Sequence, residues 1–255
     1  MKIKVDLLED IVKNACAMFM NRKSAGEISK KGEADFVTKV DMQVQAYVQE
    51  RLRLEFPEIQ FMGEEKDNEN VDFSYPVWIL DPVDGTTNLI HDMRTSALSL
   101  ALWNHGIIEL GMIYRPYTDE FFYAEKGKGA FLNGNPIHVS AAKTIEESLI
   151  TVGTSPYQKE RADENFALFK DIFMKCEDIR CIGSAALSLA YVASGRLDAY
   201  IERGLKPWDF AAGLLLVQEA GGCVTDYKGE AICAMKVSDI VAGNGNVGWK
   251  ELGIS

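Results

Sequence analysis

The chain has 255 residues, 47% of them apolar and 25% charged, which falls in the ordinary globular range and argues against disorder. With 38 acidic against 27 basic side chains the formal net charge is −11, so neither direct nucleic-acid binding nor membrane association is expected. A phosphate-bearing ligand needs help past such a field, and a bound divalent cation supplies it.

Residues 5–19 place Val5, Leu8, Ile11, Val12, Ala15, Met18 and Phe19 three and four apart, which predicts an amphipathic helix. Residues 1–10 mix charges with isolated apolar side chains and lack the apolar core of a signal peptide. Residues 24–35 carry two glycines and no sustained period, so they read as a mobile loop or hairpin suited to a lid. A second helix is expected over 41–56. Strand-like runs follow at 59–62, 77–80, 96–103, 107–114 and 120–124, and the glycines and asparagines of 127–136 predict tight turns around a short strand. After a strand at 149–152 come helices at 158–175 and 185–194, a strand at 198–202, a helix at 209–220 and short strands at 223–225 and 240–242. No repeat or linker interrupts this order, which predicts a single catalytic unit over 1–255, with 1–145 and 146–255 as subdomains. No apolar run approaches the ~20 residues that span a bilayer. Cys16, Cys176, Cys181, Cys223 and Cys233 are scattered without C-x-x-C spacing, as reduced thiols of a cytoplasmic protein would be.

The most informative stretch is Trp78-Ile79-Leu80-Asp81-Pro82-Val83-Asp84-Gly85-Thr86-Thr87-Asn88. An apolar strand delivers Asp81 and Asp84 at its carboxyl end, the intervening proline restricts the backbone so that both point into one space, and Gly85 allows a tight turn into a helix. Free amides at a helix start receive phosphate, yet carboxylates beside them repel it unless hard, oxygen-preferring cations lie between. An acidic turn accounts for Asp, Pro and Gly singly but needs no run of this length. Two further acidic segments are ambiguous alone. Gly63-Glu64-Glu65 ends an apolar strand and equally suits an exposed turn. Lys206-Pro207-Trp208-Asp209 opens an apolar helix, where Asp209 equally suits an N-cap, and Asp41 has the same alternative at the second helix.

Together with Asp35-Phe36-Val37-Thr38-Lys39-Val40-Asp41, Gly127-Lys128-Gly129-Ala130-Phe131, Gly183-Ser184-Ala185-Ala186 and Glu219-Ala220-Gly221-Gly222, these segments closely resemble the inositol monophosphatase family of magnesium-dependent, lithium-sensitive phosphatases. The resemblance implies an α+β fold, a layered αβαβα sandwich, usually dimeric, and hence a homodimer. It implies two or three Mg²⁺ per site. Glu64, Asp81 and the Val83 carbonyl would hold the first, and Asp81, Asp84 and Asp209 the second. Glu64, through a water, and Asp41 would serve a looser third. Gly85 and Thr86 would receive the phosphate, while Ser184, Ala185 and Glu202 border the hydroxyl-bearing part of a small phosphorylated sugar or polyol.

Two metal ions about 4 Å apart clamp an in-line displacement, one acidifying a water and the other stabilising the leaving alkoxide. Glu64 and Thr86 are expected to orient that water, with the Thr86 hydroxyl as relay and Glu64 as proton acceptor; Asp41 completes the catalytic set. His91, His105 and His138 lack metal-type spacing. Leu89 stands where the family often has an aromatic residue. Lys206 stands where some inositol-specific members carry histidine, and its ammonium suits a second phosphate, whereas Glu202 suits vicinal hydroxyls. Alternatives are therefore fructose-1,6-bisphosphatase or nucleotide 3'-phosphatase activity. Some bacterial relatives engage the transcription machinery, which makes a non-enzymatic binding role the other alternative.

Overall fold

A computed structural model describes residues 3–32, 35–248 and 250–254, so the tip of the segment expected as a lid and the first two residues of the N-terminal stretch lie outside the described residues. Helix α1 (Val5–Cys16) runs on into a 3-10 turn (Ala17–Met20), as its apolar spacing predicts. A four-residue α2 (Arg22–Ala25) follows, and strands β1 (Ile28–Gly32) and β2 (Asp35–Thr38) pair antiparallel, so the expected loop is a hairpin. After α3 (Lys39–Glu55) come β3 (Gln60–Gly63), β4 (Val77–Asp84), the short α4 (Thr86–Ile90), β5 (Ala97–Asn104), β6 (Ile107–Arg115), β7 (Glu120–Glu125), β8 (Gly129–Leu132) and β9 (Asn135–Ile137). Strands β3 to β9 form a seven-stranded sheet in chain order, parallel at β3–β4 and antiparallel elsewhere.

The second half comprises β10 (Leu149–Val152), α5 (Ala162–Phe173), β11 (Asp178–Arg180), α6 (Ala185–Ala193), β12 (Ala199–Leu205), α7 (Pro207–Glu219), β13 (Cys223–Thr225) and β14 (Ser238–Gly243). Its five strands are ordered β11-β10-β12-β14-β13. Sequence reasoning misses β11 because Asp178-Ile179-Arg180 has a single apolar residue; pairing with β10, rather than local propensity, makes it a strand. The helix expected from residue 158 begins at Ala162, after a 3-10 turn.

The layers follow from side-chain alternation. Along β4, Trp78 and Leu80 join Leu8, Val12, Val44 and Val48 of α1 and α3, whereas Val77 and Ile79 face α6 and α7 on the opposite side. The middle helices also meet Tyr200, Ile240 and Ala242 of the five-stranded sheet, whose far face packs Ile150, Val152 and Ile201 on Phe169 and Ile172 of α5. The result is the expected αβαβα sandwich. A fully buried Leu, Ile or Phe contributes about 1.5–3 kcal/mol, and a helix pair buried on both sides explains why α6 and α7 are apolar all round. Among the described residues no helix is long and apolar enough to cross a membrane, and all five cysteines are free.

Asn88 ties the two halves together. The two hydrogens of its Nδ2 are shared among Thr95 O at 3.0 Å, Ile182 O at 2.9 Å and Gly183 O at 3.1 Å, drawing α4 against the segment before α6. Asn88→Asp should destabilise the fold more than Asn88→Ala, although it is the closer isostere, because it sets a carboxylate oxygen among three carbonyl oxygens. The alanine variant loses about 1–3 kcal/mol from unmet acceptors. Denaturant melts of both check the order, and an aspartate variant as stable as the alanine one would refute it.

Candidate active site

A cavity of about 260 Å³ lies where β3, β4, α4, α6, β12 and α7 converge. Its wall gathers Glu64, Asp81, Val83, Asp84, Gly85, Thr86, Ser184, Ala185, Glu202 and Asp209, every residue expected from sequence except Asp41 and Lys206.

Local geometry explains the convergence. The Glu64 N–H donates to Leu80 O at 3.2 Å, extending the parallel β3–β4 pairing and setting Glu64 beside Asp81. Asp81 lies opposite Ser99 but Asp84 lies opposite Ala97, so β4 carries one extra residue at Pro82-Val83. Residues three apart on an unbroken strand point to opposite faces; the bulge returns Asp84 to the side of Asp81. Pro82, which has no N–H, occupies the break in the ladder. Asp81 Oδ1 then accepts the Val83 N–H at 2.9 Å.

Asp84 is gripped from the other half of the chain. It accepts from Ala186 N at 2.8 Å, from Ala185 N at 3.3 Å and from the Ser184 hydroxyl, all at the start of α6, where the helix dipole favours a negative charge. Ser184 and Ala185 therefore hold a carboxylate as well as lining the cavity. Gly85 enters α4 with φ 85°, a left-handed conformation open to glycine.

The N-cap alternatives for Asp41 and Asp209 need correction. The N-caps are Thr38 and Lys206, and each aspartate stands three residues later, where its side chain reaches back to the cap amide. Asp41 Oδ2 accepts Thr38 N at 2.9 Å, and Asp209 Oδ2 accepts Lys206 N at 2.7 Å. Ser99, the cross-strand partner of Asp81, donates its hydroxyl to Trp208 O at 3.1 Å and so fastens the α7 start beside the cluster. Asp41 is fully buried behind Thr86, whose hydroxyl lies 3.0 Å from Asp41 Oδ1 and 3.0 Å from Val83 O. Lys206 is exposed, with Nζ 5.3 Å from the Trp208 ring centre, and belongs to a smaller adjoining cavity.

Sequence reasoning missed the residues that place Glu202. Its carboxylate accepts the Ser155 N–H at 3.1 Å and the Tyr200 hydroxyl at 2.5 Å, and it fills the space beside Gly153, where a Cβ would lie 2.0 Å from it. Phe36, Pro156, Tyr157 and Cys181 add an apolar side to the cavity. These positions come from distant segments, and only Phe36 falls within a segment that the family resemblance marks.

The charges resist this crowding. Burial, then the negative charges of Glu64 and Asp84, hold Asp81 and Asp209 well above the usual carboxylate range. Burial raises Asp84 to about 6 despite the donors at α6. Burial also raises Glu202 against the Tyr200 and Ser155 donors, and Asp41 against those of Thr38 and Thr86. The wall holds the carboxylates of Glu64, Asp81, Asp84, Glu202 and Asp209 and, among the described residues, no Lys, Arg or His. No three of them close into a ready-made coordination cage among the described residues; they share the cavity instead. Hard oxygen donors with no basic side chain between them fit divalent cations and little else.

The model of the inositol monophosphatase family matches residues 3–254. The chain is 40% identical over 235 residues to a protein of Salmonella typhimurium named Nus factor SuhB, covering 92% of this chain and 87% of that one. It is 38% identical over 221 residues to the inositol-1-monophosphatase of Rhizobium meliloti, covering 87% and 83%. The crystal structure of the extragenic suppressor protein SuhB from Bartonella henselae superposes with a TM-score of 0.91 at 34% identity, covering 98% of this chain and 97% of that one.

Asp81→Asn keeps the acceptor for Val83 N–H while removing one of the crowded charges. A carboxyl whose folded pKa is raised binds a proton that the unfolded chain has released, so its penalty appears as pH rises from about 4 and is complete above the folded value. In chelator the variant should therefore melt higher than the unaltered protein, by a margin that widens from about pH 4 to about pH 7.5. Parallel thermal melts across that range check it; a margin that shrinks with pH would contradict the charge-crowding account.

Proposed function

This chain belongs to the inositol monophosphatase family, and on that footing we propose that it is a magnesium-dependent phosphomonoesterase acting on inositol monophosphate or a similarly small polyol phosphate. The carrying observation is the cavity that gathers five carboxylates and no basic side chain among the described residues at the start of α4. Glu64, Asp81, the Val83 carbonyl, Asp84 and Asp209 would hold the cations, two or three in number, with Asp41 behind them. When bound, such ions neutralise the site, acidify a water and stabilise a leaving alkoxide.

The remaining work falls to the chain itself. The Thr86 hydroxyl, held 3.0 Å from Asp41 Oδ1, is placed to orient an attacking water and relay its proton. Glu64 orients the same water and accepts its proton. Gly85 and Thr86 receive phosphate oxygens at the first turn of α4, whose leading amides have no partner within the helix. Glu202, fixed by Tyr200 and Ser155, accepts hydrogen bonds from substrate hydroxyls, with Ser184 and Ala185 beside it. The protein acts in the cytoplasm as a homodimer.

A second reading rests on the relatives named Nus factor SuhB. In it the chain binds a protein of the transcription machinery, because a net charge of −11 disfavours direct contact with nucleic acid. Capture of a transcription protein by a folded Asp81→Asn variant would support that role independently of turnover.

Turnover of inositol monophosphate should require Mg²⁺ and fall at least about 100-fold in chelator, with Ca²⁺ a poor substitute because its looser geometry misplaces the oxygens of the displacement. Lithium should inhibit. Phosphate release assays across metal and lithium titrations decide the matter, and full activity in chelator would overturn the mechanism.

A further inference from the structure

Arg22, the first residue of α2, lies outside the cavity wall, yet it holds the helix that carries Thr86. Its Nη1 donates to Leu89 O at 2.6 Å and its Nη2 to Ile90 O at 3.0 Å. These carbonyls belong to the last turn of α4, where no further turn follows to bond them and where a cation suits the helix dipole. The planar guanidinium spans both carbonyls at once, a fork that an ammonium cannot match. Asp92 Oδ1, just beyond α4, approaches the same group at 3.7 Å.

The other end of α4 is held from the same stretch of chain. Thr38 ends β2 and caps α3, and its amide fixes Asp41 Oδ2 so that Asp41 Oδ1 meets the Thr86 hydroxyl at 3.0 Å. Segment 22–41 thus brackets α4, with Arg22 on the last turn before hairpin β1–β2 and Asp41 on the first residue after it. Within α4 the 3.1 Å bond from Leu89 N–H to Gly85 O joins the last turn to the residue before Thr86, so freedom at one end is felt at the other. We propose that Arg22 is a positioning residue, which fixes the last turn of α4 and thereby the direction in which Thr86 presents its hydroxyl to Asp41 Oδ1 and Val83 O. The effect on turnover rests on the phosphatase reading; the effect on α4 does not.

The test uses Arg22→Ala and Arg22→Lys in the full chain. In metal-free protein, amide hydrogen exchange at Leu89 and His91, whose N–H groups bond Gly85 O and Thr87 O, should quicken about 10-fold in Arg22→Ala while the β4 amides stay within about twofold. With Mg²⁺, kcat for inositol monophosphate should fall about 5–20-fold with KM changed less than about threefold, because a misplaced Thr86 costs orientation. In a Thr86→Ala background the same substitution should cost less than about twofold, since residues that act through one another are not additive. Arg22→Lys keeps the charge but loses the fork, and should recover less than about half of the exchange protection. Unchanged exchange at Leu89 and His91, or quickening that spreads equally to β4, overturns the clamp. A kcat loss as large with Thr86→Ala as without it overturns the action through Thr86, and full recovery in Arg22→Lys overturns the fork in favour of charge alone. Failure of the unaltered protein to hydrolyse inositol monophosphate overturns the phosphatase reading, while the exchange result still decides the clamp.

Discussion

The mutual repulsion of Glu64, Asp81, Asp84 and Asp209 in a largely desolvated cleft is the constraint that the surrounding structure answers. Asp81, Asp84 and Asp209 each weaken the fold when ionised, and the upward direction of their pKa shifts, from burial first and neighbouring charge second, says so. The answer is partly local: a backbone N–H for Asp81, the first turn of α6 for Asp84 and the Lys206 amide for Asp209. It is also global, since three apolar layers and the Asn88 tie keep the two halves from parting under that repulsion. A site that stores repulsion in this way gains stability from any cation it binds, which couples loading to folding.

One device is used twice. Asp41 and Asp209 both occupy the third helical position of a capped helix and both bond back to the cap amide. Structural and functional readings of these aspartates compete when only the sequence is in view. In the fold they are one arrangement, because the bond to the cap amide occupies one oxygen and sets the direction of the other. Asp41 shows this directly, with Oδ2 on Thr38 and Oδ1 on Thr86.

What the sequence reveals depends on how far apart the cooperating residues lie. The run from Trp78 to Asn88 is legible because strand, bulge, turn and helix start follow one another within a few residues. Even there the reason that Asp81 and Asp84 share a side is hidden, since the extra residue shows only in the register with β5. Alternating and helical apolar patterns place most elements to within a few residues. They miss β11, whose only support is its neighbour β10. The clamp on Glu202 is illegible for the same reason: Gly153, Ser155 and Tyr200 are ordinary residues until β10 and β12 lie side by side. Glu64 and Asp209 take their place in the sequence reading from family resemblance, whereas in the fold the β3–β4 pairing and the Ser99 bond to Trp208 bring them to Asp81.

These separate origins imply a division of labour. On the proposed function, the phosphate end would depend on the β4–α4 run and on cations, because the chain lines that cavity with no basic side chain among its described residues. The other end is built by segments 153–158 and 200–208, which carry Gly153, Ser155, Tyr200 and Glu202 and share walls with the cluster. On the proposed function, substitution in the first group would remove the cation binding on which phosphate esters rely. No backbone hydrogen bond that sets Asp81 or Asp84 comes from segments 153–158 and 200–208, although the Lys206 amide of the second segment holds Asp209, so only the β4 end of the cluster is independent of them.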